Sequence, residues 1–303
     1  MIEKAMASKL HLPEMTRTRA SRHKRLSNPP PMRLTDRDRR VIKVVNDYRI
    51  IRQDQIQRLL FPSKNTAQNR LWRLWQHGFL KRQFLPVLGG VQTSPILYLV
   101  DRRGAELLER DFGYPKDSLR YSRAKRPSYR FLEHTLGLSE IRLSVDLACR
   151  DAPFSLEEWR DEKALKSGYD TIRLGRKHVG VLPDAYFSIS VSAGKLHFFL
   201  EYDRGPESLT VFKKKISVYW TYFQSGKCKT RYGTNRIRVL TVTEGGPTRS
   251  GRQRLANLQN LTKQIGAHTW FWFTSLEQLV HEDFFTAPIW RQTHIGRPSP
   301  LTT

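Results

Sequence analysis

Asp184, Glu201 and Asp203 are the residues whose types and spacing could do chemistry in this chain. Glu201 and Asp203 flank Tyr202 at the end of Leu196–Tyr202, a run that reads as a β-strand. A strand alternates its side chains with a period of two, so both carboxylates project to one face. The turn Ser192-Ala193-Gly194-Lys195 joins this strand to one opened by Pro183-Asp184 and running through Val191, and a hairpin of that length brings Asp184 beside the other two. Three convergent carboxylates suit a hard divalent ion such as Mg²⁺, which keeps several of its waters. The ion would lower the pKa of a bound water and neutralise charge building on a phosphodiester. The plainer alternative pairs Asp203 with Arg204 or a lysine at the strand end.

The elements that must position these residues alternate between strand and helix. Residues 131–147 read as an amphipathic helix, and 207–223 as a helix carrying Lys213, Lys214 and Lys215. Arg236–Thr243 and Thr269–Thr274 read as strands around a helix near Arg252–Gln264. That alternation suggests an α/β sandwich. The aromatic runs at 219–223 and 270–273 read as core rather than as a platform for stacking bases. His134, His178 and His197 lack metal-ligand spacing.

The first half of the chain carries a different pattern. Thr35-Asp36-Arg37-Asp38 starts a helix as a capping box, and Val41, Ile42, Val45 and Tyr48 give it an apolar stripe. A second helix is expected over Gln53–Leu60 and a third over Lys64–His77, capped by Ser63 and closed by Gly78. Strands at Phe79–Leu85 and Ile96–Val100, with a Gly89-Gly90 tip, follow as a β-hairpin. Three helices and a hairpin make a winged helix-turn-helix. At ~100° per residue, Ala67, Leu71, Leu74 and Trp75 fall on one face of the third helix. Asn65, Gln68, Asn69, Arg73 and Gln76 fall on the other, and Lys64 at the helix start is a further candidate DNA contact. Amides and arginine can read base edges bidentately in the major groove, and Lys81 and Arg82 on the wing would suit phosphates. The expected partner is double-stranded DNA.

Charge agrees with that partner. The 303 residues carry 53 Lys and Arg against 28 Asp and Glu, a net charge of +25. An excess of this size attracts polyanions. Residues 131–220 are the exception, with equal numbers of acids and bases, so their carboxylates either pair with local cations or converge on something such as a metal. Residues 1–33, closed by Pro29-Pro30-Pro31, read as a disordered basic arm, and 111–130 as a basic linker between units at 34–110 and 131–290, with 291–303 as a tail. No apolar run is long enough for a membrane span, and the start lacks the apolar core of a secretory signal. Two cysteines without a CxxC exclude a disulfide scaffold, so a cytoplasmic location is expected. A P-loop is absent, as is the paired-histidine motif of a self-nicking relaxase.

The Pro183-Asp184 and Glu201-Tyr202-Asp203 pattern resembles the PD-(D/E)xK nuclease superfamily, which implies a restriction-endonuclease-like α/β/α domain. That resemblance makes Asp184, Glu201 and Asp203 candidate catalytic residues and adds Glu140, on the preceding helix, as a further metal ligand. Its lysine position holds Asp203 instead, so Lys213 or Lys215 would supply the missing cation. Both halves together resemble the replication-relaxation family of plasmids and other mobile elements. The features that match are Arg70-Leu71-Trp72-Arg73-Leu74, Gly78-Phe79-Leu80, Tyr98-Leu99-Val100, His134 and Glu201-Tyr202-Asp203-Arg204-Gly205. Membership implies a DNA-binding accessory or initiator protein, with a relaxase or replication protein of the same element as partner. The alternatives are a Mg²⁺-dependent DNA endonuclease and a transcriptional repressor that self-associates as a homodimer.

Overall fold

The computed structural model describes residues 21–85, 94–116, 119, 128–205, 208–245, 249–267, 269–295 and 297–302. Its first unit follows the sequence pattern closely. Helix α1 (Asp36–Tyr48) starts at the expected capping box, in which the Thr35 hydroxyl accepts from the Asp38 amide and Asp38 accepts from the Thr35 amide. Helix α2 (Gln53–Leu60) and helix α3 (Lys64–Gln76) follow, the latter capped by Ser63. Strands β2 (Leu80–Phe84) and β3 (Ile96–Val100) pair antiparallel, and a two-residue strand, β1 (Ile51–Arg52), adds to β3. The Gly89-Gly90 tip lies outside the described residues. Val41, Ile42, Val45, Ile56, Ala67, Leu71, Leu74, Tyr98 and Val100 bury together. Each large side chain among them stabilises the unit by roughly 1.5–3 kcal/mol through removal from water. After β3 comes α4 (Arg102–Phe112), which packs Ala105, Leu107 and Leu108 into the same core and runs two residues into the segment expected as a linker. Gly104 is required there, because a Cβ would stand 2.3 Å from the Phe79 carbonyl oxygen.

The second unit is built on a five-stranded mixed sheet. Helix α5 (Tyr129–Asp151) leads into β4 (Ser155–Asp161), the short helix α6 (Glu162–Lys166), and the hairpin β5 (Thr171–Leu174) and β6 (Lys177–Gly180). Next come β7 (Ala185–Val191), β8 (Gly194–Asp203), α7 (Leu209–Gln224), α8 (Lys227–Tyr232), β9 (Ile237–Thr243), α9 (Arg249–Ile265), β10 (Phe271–Ser275) and α10 (Leu276–His281). The strand order is β10-β9-β8-β7-β4, with β4, β7 and β8 antiparallel and β8, β9 and β10 parallel. One face, with Phe187, Phe198, Leu200 and Val242, packs against α5 and the segment around Phe284, Phe285 and Trp290. The other, with Phe199, Val239, Phe271 and Phe273, packs against α7 and α9. The expected aromatic core is formed: Tyr219, Tyr222, Phe223, Phe271, Trp272 and Phe273 are buried, and Trp220 meets Trp270 edge-on.

Helix α5 is sandwiched between the units. Ile141, Val145 and Ala148 face the sheet, whereas Leu143 and Leu147 join the core of the first unit. The structure corrects the expectation of a free arm over residues 21–33. Arg25 donates to the Leu80 carbonyl (2.9 Å) and to Asp101 (2.6 Å), the Leu26 amide donates to Gln76 Oε1 (2.8 Å), and the Arg22 and His23 side chains pack on Phe84. This segment therefore lies against α3 and β2. Residues 1–20 of the arm fall outside the described residues.

Candidate functional site

The outer face of α3 is open. Lys64, Asn65, Gln68, Asn69 and Arg73 are exposed, while Ala67, Leu71, Leu74 and Trp75 are buried beneath them. Lys64 and Arg73 have no carboxylate partner among the described residues, so this face presents amides and uncompensated positive charge. Two of the side chains expected to join them face inward instead. Gln76 is buried because residues 21–33 cover the end of the helix and the Leu26 amide donates to its side chain. Arg82 is half-buried: it donates to the Tyr98 hydroxyl (3.0 and 3.2 Å) and its guanidinium stacks 4.3 Å from the Trp75 ring. Lys81 remains exposed on β2. Trp72 is half-buried at the margin between the two faces.

The carboxylate centre is built by the β7–β8 hairpin and the helices behind it. As the strand period requires, Glu201 and Asp203 project to one face of β8, but two separate helices answer them. Glu201 is buried and accepts from Lys215 Nζ (3.0 Å) and the Tyr219 hydroxyl (2.5 Å), both on α7. Asp203 is clamped by Arg254 of α9, which donates from Nε (2.7 Å) and Nη2 (3.0 Å), and it also accepts from the Gly205 amide. Gly205, at φ 92°, adopts a left-handed turn that favours glycine. Asp184 does lie beside β8: its Oδ2 accepts from the Tyr202 amide (2.8 Å), and His134 Nε2 of α5 stands 3.3 Å from its Oδ1.

Charges in this centre are tuned by burial and by each other. Burial raises the Glu201 carboxyl from 4.5 to about 7; the Asp184 charge adds to the rise, while Lys215 and Tyr219 oppose it. Burial alone would lower the His134 imidazole, but its hydrogen bond and charge contact with Asp184 outweigh that and raise it. Arg204 serves neighbouring carboxylates rather than Asp203, bonding Glu133 (2.5 Å) and Glu244 (3.2 Å).

Glu140 lies elsewhere. It is buried on α5 and accepts from Arg52 (3.0 Å), Gln55 (2.6 Å) and Arg58, so it ties α2 to the second unit. Among the described residues, no three His, Cys, Asp or Glu side chains stand where they could share a metal ion. The set Asp184, Glu201, Asp203 and Glu140 therefore does not fit Mg²⁺ as four ligands. Asp203 is committed to Arg254 and Glu140 to the α2 junction. What does come together is Asp184 beside Glu201, with Lys215 as the cation. Lys213, two residues earlier, is exposed.

The even charge balance of residues 131–220 resolves into pairing. Each described carboxylate from Glu133 to Asp203 accepts from a cation, a hydroxyl or a backbone amide. Sequence reasoning missed Arg254 and the His134–Asp184 contact, since 51 and 50 residues separate these partners and no local pattern links them.

Comparison with known proteins gives a family and distant structural likenesses, FokI among them. The replication-relaxation family profile matches residues 42–239, well over half of the chain. No curated protein matches it. A structure of the restriction endonuclease FokI is similar at 14% identity and a TM-score of 0.27, covering 80% of this chain and 42% of that one. FokI bound to DNA is similar at 14% identity and a TM-score of 0.26, covering 81% and 43%. The chain thus spans less than half the length of these structures. Among the described residues no helix is long and apolar enough to cross a membrane.

Proposed function

The chain belongs to the replication-relaxation family, and from that membership we propose that it is a DNA-binding accessory or initiator protein in the replication, relaxation or mobilisation of a plasmid or other mobile element. Its first unit is a winged helix that lays α3 in the major groove of duplex DNA. The observation that carries this reading is the outer face of α3, where Asn65, Gln68, Asn69 and Arg73 stand exposed over a fully buried inner stripe. Arginine and asparagine in such positions can bond guanine and adenine edges, and Lys64 and Lys81 supply phosphate contacts. A relaxase or replication protein of the same element is the protein partner this role calls for. The test is the affinity of Arg73→Ala and Asn69→Ala for a duplex selected from a random pool by the parent protein. Each lost base contact should weaken binding by about 1–3 kcal/mol while the melting temperature stays unchanged. Affinities equal to the parent's would remove α3 from the groove.

A second reading, a Mg²⁺-dependent endonuclease of the PD-(D/E)xK type, is favoured by one observation: Lys215 stands 3.0 Å from Glu201, with Asp184 alongside. A lysine so placed could hold an attacking water and offset phosphate charge. Against it, Asp203 occupies the position where the superfamily carries lysine and is closed off by Arg254. The binding role therefore predicts that supercoiled DNA stays intact with Mg²⁺. Nicking that Asp184→Ala and Lys215→Ala both abolish would establish the enzyme instead.

A further inference from the structure

Residues 131–220 are neutral in sequence and sorted in space, because their described acids lie buried or paired and many of their cations point outward. From Ser208 to Thr243 the chain contains eight lysines and arginines and no aspartate or glutamate. Three of the eight turn inward: Lys215 to Glu201, Arg231 to Asp170 (3.5 Å), and Arg238 onto the Trp272 ring. The remainder, including Lys213 and Lys214 on α7, Lys229 on α8 and Arg236 before β9, are exposed. The β5–β6 hairpin adds Arg173, Arg176 and Lys177, exposed around its tip.

The hairpin and these helices form one docked body. Tyr222 of α7 donates to Asp170 at the base of the hairpin (2.5 Å), and Lys227 of α8 donates to the Thr171 carbonyl (2.7 Å). Ile172 is buried with Phe212 and Ile216 of α7, and Val179 packs against the same cluster. Asp170, the carboxylate nearest the hairpin, is already held by Tyr222 and Arg231. Arg176, Lys177, Lys213, Lys214 and Lys229 have no carboxylate partner among the described residues.

We propose that this face, formed by the β5–β6 hairpin with α7 and α8, is a second nucleic-acid contact that grips the phosphate backbone of duplex DNA without reading its sequence. The proposal rests on the reading that the chain binds DNA, and it extends that binding beyond α3. Lysine carries a point charge on a flexible stem, which suits a row of phosphates rather than a base edge. An anionic membrane fits less well, because α7 spends its apolar stripe (Phe212, Ile216, Tyr219 and Phe223) inside the core and leaves Val211 alone as an exposed large apolar side chain, too little for the lipid boundary.

The experiment measures binding of a random-sequence duplex, and of one selected by the parent, across a range of salt concentrations. It compares the parent with a quadruple variant (Arg176→Gln, Lys177→Gln, Lys213→Gln, Lys214→Gln), an α3 variant (Asn69→Ala, Arg73→Ala) and a control (Arg150→Gln, Lys195→Gln). At about 0.9 per phosphate released, the quadruple variant should lower the magnitude of the log K against log[salt] slope by about 2–4. Affinity near 0.1 M salt should fall at least about tenfold, equally for both duplexes. The α3 variant should lose the preference between duplexes, and the control should match the parent. Replacing Lys213 and Lys214 by arginine should retain the parent's slope. If the quadruple variant binds with an unchanged slope, this face is overturned and the α3 reading stands. If the quadruple variant loses affinity and the α3 variant does not, the face stands and α3 falls. If the parent binds neither duplex, both fail. Binding to phosphatidylserine vesicles that only the quadruple variant loses, with DNA binding intact, would give the face to a membrane and overturn the proposal.

Discussion

Glu201→Gln should flatten most of the pH dependence of folding stability between about pH 5 and about pH 7.5. In the folded chain burial raises this carboxyl to about 7 against an ordinary 4.5, even with Lys215 and Tyr219 bonded to it. Between those two values the folded state retains a proton that the unfolded chain has released. Stability is therefore greatest on the acid side, falls as pH rises, and levels off above the folded value. Integrating the two titrations across the window gives a loss of about 2 kcal/mol. His134 works in the same direction, since Asp184 raises its imidazole and the added stability is lost as pH rises through the folded value. Glutamine keeps the shape and an acceptor oxygen but has no proton to release. Urea denaturation followed by tryptophan fluorescence at several pH values measures the effect. The parent should lose about 2 kcal/mol across the window, and the variant only the balance between the raised His134 and His197, whose burial lowers its imidazole and opposes it. Parallel profiles for parent and variant would refute the assignment of a raised pKa to Glu201.

Arg254→Met should cost about 3–5 kcal/mol in chemical denaturation, because it leaves Asp203 buried with its bidentate partner removed; a loss below about 1 kcal/mol would mean the carboxylate finds water. Gly137→Ala should destabilise by about 1–3 kcal/mol, since its Cβ would stand 2.1 Å from Tyr202 Cε1 and α5 would have to lift from the sheet. A parent-like melting temperature would show that the Tyr202 ring can move aside. Deleting residues 1–33 should lower the melting temperature, as it uncovers Gln76 and removes Arg25 from Asp101 and Leu80, whereas deleting 1–20 should not remove those contacts. Equal melting temperatures for both truncations would refute the docking of 21–33.

Local signals carried the first unit. The Thr35 capping box, the Ser63 cap and the apolar stripe of α3 lie within a few residues of what they determine, and the three helices fall where the sequence places them. Helix α5 extends at both ends beyond its expected range, because it buries two faces against two different units and its apolar pattern is nearly continuous. Strand β4, the β5–β6 hairpin and α4 carried weak local cues and owe their place to the sheet edge, to α7 and to the first core. Around the site, the strand period correctly put Glu201 and Asp203 on one face. Their partners could not be read, because Lys215 and Arg254 arrive from different helices after long intervals. Gln76 and Arg82 failed for a related reason: a helical wheel knows nothing of a distant segment folding over its end, or of Trp75 accepting a guanidinium.

The central claim is that α3 meets DNA. Placing the photo-crosslinking residue p-benzoylphenylalanine at position 69 of α3, at position 214 of α7, or at position 280 of α10, which is exposed and distant in sequence from both proposed contact faces, tests it directly. On irradiation with the duplex selected by the parent, position 69 should crosslink at one base position within the site, and position 280 should give no adduct. Crosslinking from 214 but none from 69, with the position-69 variant still bound, would contradict the claim that α3 reads the DNA.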